Sequence, residues 1–180
     1  QRKQSFSIAT AYSGLHSQVL VSPGGQVQFP INEPSSNNSQ IQEFLDFNRG
    51  PEIQHIALST ANVSEVTLQL KALGVSFLSV PDSYYHQLQA RLPGMPFSAA
   101  EWQKIQQAQV LVDCEAPTAD SATPDPSRQP LLLQIFTQPI FPEPTFFFEL
   151  IERRDRAQGF GEGNFRALFA AIEQEQQQRS

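Results

Sequence analysis

Residues 131–151, LLLQIFTQPIFPEPTFFFELI, contain the two densest apolar runs of the chain and decide its fold. The runs are LLLQIFT at 131–137 and TFFFELI at 145–151, both rich in residues that favour strands. Between them, FPEP at 141–144 supplies a turn. The pattern predicts two neighbouring strands in a mostly antiparallel sheet.

One polar residue interrupts each of these runs, Gln134 in the first and Glu149 in the second. Because side chains alternate between the two faces of a strand, Glu149 shares a face with Phe147, and Gln134 shares one with Phe136. A carboxylate buried without a partner in so apolar a strand would cost several kcal/mol. A buried Glu149 therefore requires a strong partner, such as a metal ion, an arginine or a water channel.

Other interpretations of these polar residues stay open from the pattern alone. Glu149 could face solvent or pair with Arg153 or Arg154, and Gln134 could satisfy a backbone group. A third residue, His55, lies in the strand-like run GPEIQHIALST at 50–60. A lone histidine in a strand is more often a hydrogen-bonded residue of the sheet than a metal ligand.

Outside residues 131–151, sequence patterns typical of strands and of helices alternate along the chain. Ser64 is a plausible N-cap for a helix that ends at Gly74, and Ser98-Ala-Ala-Glu101 is a capping-box pattern. The predicted elements are strands at 53–59, 75–80 and 109–113, helices at 64–73, 82–92, 98–107 and 165–176, and a mobile loop at 115–130. This order indicates an α+β fold.

The first 34 residues read as strands around the turn Pro23-Gly24-Gly25, and a helix fits 39–48 before Gly50-Pro51. The expected domains are therefore 1–50, the terminal strands and helix of an incomplete first module; 51–152, a second module; and 153–180, a C-terminal helix and tail. The chain does not begin with methionine, which fits a fragment or a processed piece.

Composition excludes several classes of function. The chain has 180 residues, a net charge of -6 and no Lys/Arg-rich run, so nucleic acid is not an expected partner. No apolar run approaches the roughly 18 residues that suggest a membrane span. A single cysteine, Cys114, fits a reducing compartment, and we expect a cytoplasmic protein. The sequence contains no phosphate-binding glycine loop, paired-cysteine zinc motif or nucleophile elbow.

A set of local motifs resembles one family in its order along almost the whole chain. The motifs are INEP (31–34), SQIQEFL (39–45), GPEIQHIAL (50–58), VPDSYY (80–85), LLLQIFTQP (131–139), FFFELIERR (146–154) and GFGEGNFRALFAAIE (159–173). Each alone is weak, but together they resemble the C-terminal catalytic part of 4-hydroxyphenylpyruvate dioxygenase. At the position after LLQIFT, where that family usually has a basic residue, this chain has Gln138.

The resemblance implies a vicinal-oxygen-chelate fold, in which paired βαβββ modules form an open barrel around one Fe(II). The family holds its iron with two histidines and a glutamate, which leaves three positions for substrate and oxygen. Its QHIA-type histidine falls on His55 and its FFE-type glutamate on Glu149. The resemblance places the other histidine upstream of Gln1, and neither His16 nor His86 matches it.

The resemblance also implies roles for other positions. Gln134 matches the glutamine near the substrate, and Ser17, Asn32 and Gln40 match a polar set that orients it. The remaining matches are pocket-lining aromatics and the C-terminal gate, at Phe136, Phe147, Phe160, Gly161, Asn164 and Phe165.

The implied activity converts 4-hydroxyphenylpyruvate and O2 to homogentisate and CO2, in tyrosine catabolism or in the supply of quinone and tocopherol precursors. The implied cofactor is Fe(II), and the full-length protein is expected to form a homo-oligomer, either a dimer or a tetramer. Two alternatives stay open. One is a hydroxymandelate synthase, which oxidises the benzylic carbon of the same substrate, and the other is a catalytically incomplete binding or structural domain.

Overall fold

The computed structural model describes most of the 180 residues of the chain. The described residues are 2–9, 14–24, 27–37, 39–91, 94, 96–114, 130–143, 145–157, 159–161 and 163–164. The predicted loop at 115–130 and the predicted helix at 165–176 lie almost entirely outside these residues. Phe165, which the resemblance places in the gate, also lies outside them.

The chain packs as two compact units, the first formed by Gln1–Gln54 and Phe141–Phe146, the second by His55–Ile140 and Phe147–Ser180. The expected domain ranges 1–50, 51–152 and 153–180 stay predictions.

The first unit contains a three-stranded antiparallel sheet in the order β1-β2-β3, followed by one helix. Its elements are β1 (Arg2–Ala9), β2 (Gly14–Val21), β3 (Gln28–Pro34) and α1 (Gln40–Asn48). Ser39 caps α1 by accepting a hydrogen bond from the backbone N–H of Gln42. The strand prediction for the first 34 residues and the helix prediction that follows it are confirmed.

Among the described residues, the second unit contains a four-stranded sheet and three helices. Its elements are β4 (His55–Ser59), α2 (Val63–Ala72), α3 (Asp82–Arg91), α4 (Ala99–Ala108), β5 (Leu111–Cys114), β6 (Leu131–Phe136) and β7 (Phe147–Arg154). The strand order is β4-β7-β6-β5, with β4 parallel to β7 and the other two pairings antiparallel. The prediction of an α+β fold with a mostly antiparallel sheet is confirmed.

An apolar core fills the second unit because β6 is buried along its whole length. Leu131, Leu133 and Ile135 of β6 pack in one cluster with Tyr84 and Tyr85 of α3, together with other side chains from the helices and the loops between them. The two tyrosines contact each other edge to face, with ring centroids 5.1 Å apart. The helices therefore cover one face of the sheet.

Two local predictions in the second unit are wrong. The N-cap of α2 is Asn62 rather than Ser64, since the Asn62 side chain accepts the N–H of Glu65 and Ser64 is already helical. Residues 75–80 do not form a strand. Only Phe77 makes an isolated bridge, to Thr137, which directly follows the end of β6.

Within the described parts of the chain, none of the helices has the length and apolarity needed to cross a lipid bilayer.

Candidate metal and substrate site

The parallel pairing of β4 and β7 brings together two residues that lie about 90 positions apart in the sequence. His55 is aligned with Phe147, and Ala57 is aligned with Glu149. Because His55 and Glu149 differ by two places in this register, their side chains emerge on the same face of the sheet. The sheet topology thus positions an imidazole and a carboxylate side by side.

The two side chains converge. Nε2 of His55 lies 3.6 Å from Oε2 of Glu149, which is close to, but beyond, hydrogen-bond length. Glu149 is buried, and this burial raises its pKa to about 7, against smaller lowering effects of the Gln134 hydrogen bond and the charge of Arg153. Burial also lowers the pKa of His55, which favours the neutral imidazole that binds metals.

Glu149 is neither exposed nor paired with its neighbouring arginines, so the solvent-facing interpretation is wrong. Arg153 donates to the backbone oxygens of Ala157 and Gly159, and Arg154 donates to the carboxylates of Glu101 and Glu152. A buried carboxylate with no cation in hydrogen-bond contact is costly. A metal ion beside Glu149 would offset that cost.

Gln134 contacts Glu149 directly. In the β6–β7 pairing, Gln134 is opposite Ile151 and Phe136 is opposite Glu149, so the amide and the carboxylate are diagonal neighbours on one face. Nε2 of Gln134 donates to Oε1 of Glu149 at 2.7 Å and to the backbone oxygen of Phe160 at 3.3 Å. Gln134 therefore binds a carboxylate as well as the backbone group that the sequence left open.

An aromatic wall borders this cluster. The ring of Phe147 stacks on the imidazole of His55, with centroids 4.9 Å apart and planes 11° from parallel. Phe136 meets Phe147 edge to face at 6.1 Å. These rings are apolar and present no oxygen that could compete for a metal.

The segment after β7 closes against Gln134 and requires a glycine at one place. Gly161 has φ = 77°, and a Cβ atom there would overlap the Gln134 amide. Three residues further on, the fully buried Asn164 donates from Nδ2 to Oε1 of Gln134 at 2.7 Å. Of the predicted gate residues, Phe160, Gly161 and Asn164 are thus placed beside Gln134.

The three polar residues of the predicted substrate-orienting set lie in the first unit. Ser17 and Asn32 are directly opposite each other across the β2–β3 pairing. Ser17 is buried, and its hydroxyl has no hydrogen-bond partner among the described residues. Gln40 begins helix α1. The first unit therefore holds two members of the set as neighbours.

His55 and Glu149 are two potential metal ligands, and the part of the chain that the structure describes contains no group of three or more His, Cys, Asp or Glu side chains that could hold an ion. The other nitrogen of His55, Nδ1, is buried and has no partner among these residues. His16 and His86 are both exposed. The described cluster thus brings together two of the three ligands that the sequence resemblance implies.

The sequence did not single out Tyr84 as a functional residue, although it occurs in the quoted motif VPDSYY. Its hydroxyl reaches Oδ1 of Asn164 at 3.1 Å and so joins the chain of polar groups that ends at Glu149. The sequence did contain a signal for this role. The pair Tyr84-Tyr85 lies on a predicted helix, and a tyrosine that a helix buries against a sheet needs a polar partner for its hydroxyl.

Comparison with known proteins relates the chain to one superfamily. Residues 2–92, about half of the chain, match the family model described as "Glyoxalase/Bleomycin resistance protein/Dioxygenase superfamily". The chain belongs to this superfamily. Many curated proteins match the chain in sequence.

An uncharacterized protein of Synechocystis is 43% identical over 171 residues, which are 95% of this chain and 48% of that relative. The superfamily members named 4-hydroxyphenylpyruvate dioxygenase in Yarrowia lipolytica and Danio rerio are each 41% identical over 175 residues, 96% of this chain and 41% of the relative. The chain therefore spans less than half the length of these relatives.

A mutant of 4-hydroxymandelate synthase from Streptomyces coelicolor has a similar structure, with a TM-score of 0.74 and 30% identity over 96% of this chain and 45% of that one. The chain thus has the fold of this superfamily, and proteins named 4-hydroxyphenylpyruvate dioxygenase match nearly its whole length. The resemblance stated from the sequence motifs is confirmed.

Proposed function

We propose that the protein is a non-haem Fe(II) dioxygenase that converts 4-hydroxyphenylpyruvate and O2 to homogentisate and CO2, and that these residues provide part of its active site. The observation that supports this most strongly is the cluster of the half-buried His55 with the buried Glu149 and Gln134, beside an aromatic wall. Curated dioxygenases that match nearly all of the chain at about 40% identity support the same activity.

The donor set fits a divalent iron. Two metal–ligand bonds of about 2.1 Å together exceed the 3.6 Å between Nε2 of His55 and Oε2 of Glu149, so a single ion can touch both atoms. A bound Fe(II) would supply redox chemistry with O2. The proposal assigns the second histidine of the facial triad to a part of the protein outside these 180 residues.

The remaining residues have proposed roles in binding and in excluding water. Phe136 and Phe147 would line the pocket for the substrate ring, while Ser17, Asn32 and Gln40 would orient its polar ends. Gln134 holds Oε1 of Glu149 and would also face the substrate. The remaining proposed residues form the gate that closes over the ring, at Phe160, Gly161, Asn164 and Phe165.

The test is turnover by the full-length protein with Fe(II), 4-hydroxyphenylpyruvate and O2, with the product identified by mass spectrometry and NMR. Homogentisate is expected from the wild type. His55→Ala and Glu149→Ala should each abolish homogentisate formation, because each removes one of the proposed ligands of the ion. Retained turnover in Glu149→Ala would contradict the ligand assignment.

One alternative activity is favoured by the structural similarity to 4-hydroxymandelate synthase. It starts from the same substrate and differs in the carbon that is oxidised. NMR of the product separates the two activities, since hydroxymandelate carries its new hydroxyl on the benzylic carbon and homogentisate carries it on the ring. A protein that binds no Fe(II) and forms neither product would be a binding or structural domain.

The proposal extends to the setting of the protein. A chain with a single cysteine fits a reducing cytoplasmic compartment, which fractionation of cells expressing the protein would test. The full-length protein is proposed to be a dimer or a tetramer that acts on a small molecule, with no nucleic acid or membrane as partner. Light scattering measures its oligomeric state.

A further inference from the structure

A chain of buried polar side chains leads away from Glu149 into the helical layer of the second unit. Gln134 connects Glu149 to Asn164, and Asn164 connects Gln134 to the hydroxyl of Tyr84 on α3. All four side chains are at most 6% exposed. Because none of them reaches bulk water, each polar group depends on the next for its hydrogen bonds.

The direction of the amides along this chain is determined by what they contact. Nε2 of Gln134 donates to the Glu149 carboxylate and to the carbonyl oxygen of Phe160. The carbonyl oxygen can only accept a hydrogen bond, and so can the carboxylate when Glu149 is ionised. Oε1 of Gln134 must then accept from Nδ2 of Asn164. Oδ1 of Asn164 consequently faces Tyr84 and needs a donor there.

Tyr84 is that donor. Its hydroxyl accepts the backbone N–H of Val112 at 2.8 Å, which leaves its proton directed toward the oxygens of Val112 and Asn164, at 3.2 Å and 3.1 Å. Among the described residues, no other group donates to Oδ1 of Asn164, so this proton holds Oδ1 toward α3. A reversed Asn164 would place an oxygen against Oε1 of Gln134, and a reversed Gln134 would place an oxygen against Glu149.

We propose that Tyr84 is a positioning residue for the candidate metal ligand Glu149, acting through the amides of Asn164 and Gln134. With Oε1 of Glu149 held by Gln134, Oε2 is the oxygen directed at His55 and is the one that binds the ion. Groups that orient metal ligands in this way typically change metal affinity or activity by about 10- to 100-fold when they are removed. The inference deepens the proposed function and rests on its assignment of Glu149.

The test compares Tyr84→Phe with Tyr85→Phe in the full-length protein. Tyr85 is a matched control because it is equally buried on the same helix and donates to the backbone oxygen of Val110 at 3.1 Å, outside the polar chain. The measurements are the Kd for Fe(II) without oxygen, the visible spectrum of the Co(II)-substituted protein, and kcat and KM for the oxo acid.

Tyr84→Phe is expected to raise the Kd for Fe(II) about 10-fold or more, to shift the Co(II) spectrum and to lower kcat more than it changes KM. Tyr85→Phe should leave all of these at wild-type values, while both variants lose similar thermal stability. A Tyr84→Phe protein that is folded and has the Kd and spectrum of Tyr85→Phe would overturn the inference.

Asn164→Asp provides a second variant of nearly identical shape, in case Tyr84→Phe does not fold. Its carboxylate offers only oxygens to Gln134, so the Gln134 amide should turn and direct an oxygen at Glu149. The same loss of metal affinity is expected, and wild-type affinity would overturn the inference. Because Kd does not depend on turnover, a wild type that binds metal but forms no homogentisate would contradict only the proposed dioxygenase activity. A wild type that binds no metal would overturn both.

Discussion

At the scale of single residues, the site depends on how closely the segment after β7 approaches Gln134. Gly161 allows that approach, because its Cα lies where any Cβ would collide with the amide that holds Glu149. Its left-handed backbone, at φ = 77°, is a second reason for glycine. A motif comparison could suggest Gly161, but only the structure shows that Gln134 is what the missing side chain would strike.

Gly161→Ala separates these two reasons when it is compared with Gly74→Ala. Gly74 also has a left-handed backbone, at φ = 92°, but a Cβ there meets nothing within 4 Å. Gly74→Ala should lower the free energy of unfolding by about 1 kcal/mol through backbone strain alone. Gly161→Ala should lower it further, and should also weaken Fe(II) binding by displacing Gln134.

Chemical denaturation and metal titration of both variants measure these effects. Equal losses of stability, together with unchanged metal affinity in Gly161→Ala, would show that the Gln134 amide moves aside without consequence.

At the scale of elements, helix and strand periodicity predicted most of the secondary structure. The strands around Gln134 and Glu149 were recognisable because dense β-branched and aromatic runs have few other stable arrangements. Residues 75–80 carry a similar apolar run, yet only Phe77 pairs, with Thr137. Whether a run pairs depends on tertiary packing, which decides whether a partner strand lies beside it, and not on the local sequence pattern alone. The parallel pairing of β4 with β7 is likewise a tertiary property, and the convergence of His55 with Glu149 depends on it.

The start of α2 gives a prediction at this scale, since sequence favoured Ser64 as the cap and the structure has Asn62. Asn62→Ala should lower the free energy of unfolding by about 1 kcal/mol, because it removes the acceptor for the N–H of Glu65. Asn62→Asp keeps that acceptor and should retain wild-type stability. Thermal or urea denaturation distinguishes the two, and equal stability of Asn62→Ala and wild type would contradict the assignment of the cap.

At the scale of the second unit as a whole, an ionic network joins three elements that are distant in sequence. The buried Glu152 of β7 accepts the N–H of Val63 at the start of α2, and Arg154 donates to both Glu152 and Glu101 of α4. The guanidinium also lies over the ring of Phe97. Glu152 and Arg154 lie two residues apart on β7, but sequence gives no sign of the network because Glu101 lies 53 residues before Arg154 and follows no spacing rule.

Arg154→Met should lower the free energy of unfolding by about 2 kcal/mol, since it leaves the Glu152 carboxylate buried with no cation. Lys104→Met is the control, because its ion pair with Glu65 is exposed to solvent and such pairs contribute little to stability. The double variant Arg154→Met, Glu152→Gln should recover part of the loss, because it also removes the uncompensated charge.

Denaturant titrations of Arg154→Met, Glu152→Gln and the double variant form a double-mutant cycle. An Arg154→Met protein no less stable than Lys104→Met would show that the network contributes nothing to the cohesion of the unit.

The parallel partnership of β4 and β7 has a consequence for how the protein is made. The two strands are separated by about 90 residues, and joining segments so far apart is slow because the intervening chain loses entropy before any contact compensates for it. During synthesis, His55 leaves the ribosome long before Glu149, so the two side chains can meet only after β7 has emerged and paired with β4. Metal binding through both proposed ligands should therefore begin abruptly, once the translated chain is long enough for β7 to lie outside the ribosome.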